Sequence, residues 1–85
     1  MLIAMTTHLA PQFLRRSSLV DAMMDRYVDW REESDGVERA YRAWVQASSG
    51  ERRFGYLAYT AALDREERAC DLYSAAIAAY REVAG

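Results

Sequence analysis

The residues of this chain best suited to chemistry are acids and arginines that interrupt two apolar stripes. Glu66, set among Asp64, Arg65, Glu67 and Arg68, breaks one stripe, and Ser34, beside Arg31, Glu32 and Glu33, breaks the other. A carboxylate buried in such a stripe would be desolvated, which raises its pKa and suits it to acid–base work or ligand binding. The ordinary alternative is structural: one internally paired polar layer that fixes the alignment of packed helices. Bundles use such layers often, and this alternative is favoured. The carboxylates also invite comparison with di-metal bundles, which combine Glu with Glu-x-x-His. The one histidine, His8, stands near the N-terminus and no Glu-x-x-His occurs, so neither a metal nor a cofactor is expected. The sequence holds no glycine-rich phosphate loop, zinc spacing or nucleophile–base motif.

Aromatic residues carry the second signal. The phrase Tyr-x-x-Trp-x-x-x-Ser occurs twice, two heptads apart, as Tyr27, Trp30, Ser34 and Tyr41, Trp44, Ser48. Steps of three and four keep these residues on one side of a helix. The full stripe runs Val20, Met23, Tyr27, Trp30, Ser34, Val37, Tyr41, Trp44, Ser48, with Asp25, Glu32, Arg39 and Gln46 opposite. Aromatics in such a row could line a pocket for a flat ligand. More often they form a packing seam, their OH and NH groups finding partners at its rim.

The elements that must position these residues are helical. Ser18 and Asp21 form a capping box that predicts a helix start at residue 18. Gly36 is a weak point, costing about 1 kcal/mol relative to Ala in a helix interior. The stepping nevertheless crosses Ser34-Asp35-Gly36 in phase, which predicts one helix over 18–47, with Gly36 the place for any kink. Ser48-Ser49-Gly50-Glu51 combines turn residues with another capping box. Beyond it the stripe resumes as Tyr56, Tyr59, Leu63, Glu66, Cys70, Tyr73, Ile77, Tyr80, Ala84, one residue out of phase with the first. One residue is about 100° around the axis, so the chain must reverse. The expected fold is an all-α, long antiparallel helical hairpin, 18–47 and 50–83, forming a domain over 17–85. Residues 1–16 are expected as a weakly ordered or short-helical arm, with Pro11 at a first turn.

Folded about Ser48–Gly50, the hairpin would bring Ser34 near Asp64 and Arg65, one turn from Glu66, with Arg31 and Arg68 at the same height. The second helix carries a further stripe of small residues, Gly55, Ala58, Ala62, Ala69, Leu72, Ala76, Ala79 and Val83. Two stripes are more than one partner helix can cover. The surplus predicts dimerisation into a four-helix bundle, with the aromatic stripes, including Leu63 and Ile77, as core or interface.

Composition sets the limits. Eighty-five residues allow one domain with a marginal core of its own. All eleven basic residues are Arg, with neither Lys nor Asn, the codon signature of a GC-rich, bacterial genome. A net charge of −2 and a pI near 5.3 provide no field for nucleic acid or anionic membranes. Arg15-Arg16 and Arg52-Arg53 are separate pairs at opposite ends of the hairpin. Arg15-Arg16-Ser17-Ser18 also matches a basophilic phosphorylation pattern, which capping by Ser18 makes unnecessary. Cys70, the only cysteine, is expected to be an inert reduced thiol in a cytoplasmic protein. The apolar Met1–Met5 is too short for a signal peptide.

In size and hairpin organisation the chain resembles the small secreted Trp-x-Gly hairpin proteins. However, Ser48-Ser49-Gly50 carries no Trp, and no tyrosine is followed four residues later by Asp or Glu. It also resembles the small dimeric helical chorismate mutases, whose catalytic set usually includes a Lys that this chain lacks. No residue role transfers from either. The expected function is therefore non-enzymatic, through self-association or contact with another protein. The alternative is a small-molecule-binding or catalytic bundle using Glu66, Arg31 and Arg65.

Overall fold

The computed structural model describes the backbone of residues 2–85 and the side chains of residues 14–85. Two helices, α1 (Leu2–Gln46) and α2 (Arg52–Ala84), pack against each other as an antiparallel hairpin, and the described residues contain no strand. The expected hairpin is present and α1 runs unbroken through Ser34-Asp35-Gly36. Among the described residues no helix is long and apolar enough to cross a membrane.

Three boundaries differ from the sequence reading. Helical backbone begins at Leu2, so Ser18 sits exposed inside α1 and caps nothing. The capping-box pattern is local, and a helix that continues upstream leaves no free N–H groups for Ser18 to bind. The reversal occupies residues 47–51, and α2 begins at Arg52 rather than at residue 50. Its cap position is Glu51, which makes no side-chain capping bond, in place of the expected Ser48. Backbone bonds close the turn instead: Ala47 N–H donates to Trp44 C=O at 3.2 Å and Glu51 N–H to Ser48 C=O at 3.0 Å.

At 1.5 Å per residue the helices are about 67 and 50 Å long, in a molecule measuring 75 × 16 × 13 Å. Counting back from Trp44 opposite Gly55, Ala84 comes level with Arg15. The first turns of α1 therefore run on past the end of α2. The division at residue 16 corresponds to where the second helix stops and not to a break in the first.

The seam between the helices is narrower than the sequence stripes suggested, and displaced from them. On α2 it follows Gly55, Tyr59, Ala62, Glu66, Ala69, Tyr73, Ala76, Tyr80 and Val83, all at least half-buried. It thus takes the heptad-spaced small residues of one stripe and the tyrosines and Glu66 of the other. Ala58, Leu72, Tyr56 and Leu63 fall outside it and are exposed. On α1 it keeps Met23, Trp30, Val37 and Trp44 but leaves Tyr27 and Tyr41 41% and 49% exposed. Small residues permit the close approach that large ones need in order to interlock. A Cβ added at Gly55 would lie 3.0 Å from the Trp44 Cα. Among the described residues only Ala62 and Ala69 are buried outright, at 1% and 8% exposure.

Two substitutions follow from this geometry. A Cβ at Gly36 would meet only the Arg39 guanidinium, at 3.6 Å, so Gly36→Ala should raise stability by about 0.5–1 kcal/mol. Ala62→Leu, forced into the closest part of the seam, should lower it by about 1–3 kcal/mol. Urea unfolding followed by circular dichroism at one protein concentration measures both.

Candidate interaction site

The Tyr-x-x-Trp repeat builds two equivalent aromatic clusters across the seam. In the first, Trp30 stacks on Tyr73 with centroids 5.8 Å apart and planes at 15°, while Tyr27 meets Tyr73 edge-on at 5.5 Å. In the second, fourteen residues later in α1 and fourteen earlier in α2, Trp44 stacks on Tyr59 at 5.4 Å and 19°, with Tyr41 tilted against Tyr59 at 5.7 Å. Tyr56 closes the second cluster, 5.3 Å from Trp44. Offset-stacked and edge-on pairs each contribute about 0.5–1.5 kcal/mol beyond the area they bury. The two clusters therefore fix the register as well as the closeness of the helices.

The polar belt is present in part and divides into two. Glu66 accepts a hydrogen bond from Trp30 Nε1 at 2.8 Å, tying the first cluster to α2. Beside it, Arg65 Nε donates to Glu33 Oε2 at 3.3 Å, with Arg65 exposed and Glu33 half-buried. Ser34 is half-buried, while Arg31, Asp64 and Arg68 are exposed. Asp64 lies two residues, about 200°, from the seam position Ala62 and so faces away from it. Arg31 is likewise about 200° around α1 from Glu33. Glu66 is half-buried, with an indole N–H beside it. Two side-chain bonds cross the seam at this height, Trp30 to Glu66 and Arg65 to Glu33, and neither joins an arginine to Glu66.

The sides of the hairpin differ. On one side Asp29, Glu32, Glu33, Arg65 and Arg68 line a shallow groove of approximately 310 Å³ with Ala69 and Leu72. On the other, Tyr27 and Tyr41 sit three residues before Trp30 and Trp44. Tyr56, Leu63, Cys70 and Ile77 sit three before Tyr59, Glu66, Tyr73 and Tyr80. The same offset on antiparallel helices turns both rows to the same side. That side carries these apolar residues, with the exposed Arg31, Glu38 and Glu67 interleaved among them. Near the turn it opens into a cleft of approximately 400 Å³ lined by Tyr41, Trp44, Val45 and Arg52. Cys70 is a free thiol, half-buried at the edge of this row. Ile77 and Tyr80 are half-buried as well, nearer the open end.

The expected core residues thus separate. Trp30, Trp44, Tyr59, Tyr73 and Tyr80 belong to the seam, whereas Tyr27, Tyr41, Tyr56 and Leu63 form an outer apolar face. The Trp30–Glu66 bond was not read from the sequence, although folding the hairpin at its turn places both residues at one height. Among the described residues no group of three or more His, Cys, Asp or Glu side chains is arranged to hold a metal ion. No known protein family, curated protein or solved structure matches the chain.

Glu66→Ala leaves the Trp30 N–H without its acceptor and should cost about 1–3 kcal/mol, whereas Glu66→Gln, which can still accept, should cost less. Arg65→Ala, at an exposed pair, should change stability by less than about 1 kcal/mol. Trp44→Ala empties the second cluster and should cost about 3 kcal/mol. Chemical denaturation of the four variants checks this order.

Proposed function

We propose that the chain is a small non-enzymatic helical-hairpin protein that self-associates into a homodimeric four-helix bundle and works through protein–protein contact. The observation that carries this reading is the lack of a core. Two alanines are the only buried residues among those described, and such a pair cannot offset the conformational entropy of ordering some eighty residues. Large apolar side chains are left open to water: Met24, Tyr27, Val28, Tyr41, Val45, Tyr56 and Leu57 are each more than two-fifths exposed. Apolar surface on this scale marks an interaction site on a soluble protein.

The alternative of a ligand-binding or catalytic belt has less support. Glu66 and Arg65 each bond a different residue of α1, Trp30 and Glu33, rather than one another. Arg31 stands apart from both pairs.

If folding and association are coupled, the melting temperature must depend on protein concentration. A hundredfold rise in concentration should stabilise the assembly by about 2.7 kcal/mol, a shift of several degrees in a thermal melt followed by circular dichroism. A melting temperature that stays constant over that range would rule out coupled self-association.

A further inference from the structure

The two aromatic clusters differ at the indole N–H. In the first, Trp30 Nε1 donates to Glu66 at 2.8 Å. In the second, the place of Glu66 in α2 is taken by Arg52. Arginine carries donors only, and the Trp44 N–H meets no acceptor among the described residues. Two donors thus stand together where the first cluster pairs a donor with a carboxylate.

Both donors belong to one cleft. A Cβ at Gly55 would lie 3.4 Å from Trp44 Cδ1, so the edge of the indole that carries Nε1 faces this part of α2. Arg52 lies three residues before Gly55, on the same side of the helix. Trp44 and Arg52 line the cleft of approximately 400 Å³ near the turn, with Tyr41 and Val45. Tyr41 and Val45 are both exposed and give it an apolar wall. Arg52 is exposed and makes no ion pair among the described residues, whereas Arg42 is held by Glu38 at 3.4 Å. The chain has a net charge of −2, yet residues 37–60 hold four arginines against two glutamates. The cleft therefore sits in a positive stretch of an acidic chain.

We propose that this cleft binds a small carboxylic acid with an apolar body. Its carboxylate accepts from Trp44 Nε1 and pairs with Arg52, while the body lies against Tyr41 and Val45. The bound acid does for the second cluster what Glu66 does for the first. One carboxylate satisfies both donors, and a charge-assisted bond is about twice as strong as a neutral one. The volume falls toward the lower end of the range of about 300–1,000 Å³ usual for small-molecule sites, which suits a body of one ring. The site is separate from the polar belt, and the proposal does not depend on self-association.

Nuclear magnetic resonance of the isotope-labelled full chain tests the site, because the two tryptophans give two indole N–H signals. Trp44→Phe assigns them. Phenylacetate should move the Trp44 signal saturably, with a dissociation constant on the order of 1 mM. The Trp30 signal, already bonded to Glu66, should stay in place. The uncharged phenylacetamide should move neither. Arg52→Gln should keep the helices, as checked by circular dichroism, and weaken phenylacetate binding at least about tenfold. Arg65→Gln, outside the cleft, should bind as the unaltered chain does. No saturable movement of the Trp44 signal up to about 20 mM phenylacetate would overturn the proposal. Equal binding of phenylacetamide, or unchanged affinity in Arg52→Gln, would also overturn it, because the cleft would then recognise only the apolar body. A Trp44 signal that follows protein concentration and ignores phenylacetate would overturn it too, by making the cleft a contact between copies of the chain.

Discussion

Two helices laid side by side can cover only one strip of each other, and the rest of this structure follows from how that strip is filled. Trp30 and Trp44 supply bulk from α1. Gly55, Ala62 and Ala69 supply room on α2, and Tyr59 and Tyr73 supply flat surfaces for the indoles to stack on. Large against small lets the helices approach closely without a void, and stacking limits how far one can slide along the other. Everything apolar beyond the strip is left facing water. The exposed rows on one side are therefore a consequence of the seam, because a two-helix chain with this much apolar residue has nowhere else to put it.

The polar layer belongs to the same logic. Trp30 needs an acceptor where its N–H leaves the cluster, and Glu66 provides one at 2.8 Å. The corresponding place in the second cluster, fourteen residues earlier in α2, is Arg52, which cannot accept. The two clusters are alike in shape and different in polarity, so a hairpin slipped by two heptads would set an arginine in place of Glu66 beside Trp30. This asymmetry gives the belt a role in alignment that needs no chemistry.

The hairpin could be read from the sequence because its signals are periodic. The unbroken stepping across Gly36 indicated one helix, and the one-residue phase slip after Ser48 indicated the reversal. The seam itself was displaced in that reading for a physical reason. Aromatic residues dominate any apolar pattern, yet where helices pack most closely the centre belongs to small side chains. Tyr27 and Tyr41 drew the stripe toward themselves, while Ala62 and Ala69 mark the true line of contact. The capping boxes at Ser18 and Ser48 misled because a cap acts only where a helix begins, and whether it begins there depends on residues outside the four-residue pattern. Helix register sets the height of the polar residues, but height alone does not decide which way a side chain points, and Asp64 and Arg31 are exposed.

Few side chains are buried within one hairpin, and its completion by a second copy is the proposal to be tested. Light scattering coupled to size exclusion at micromolar concentration addresses that claim most directly, because it yields mass independently of the elongated shape. The expected mass is twice the 9.7 kDa of one chain. A helical, stably folded species with the mass of a single chain would contradict it.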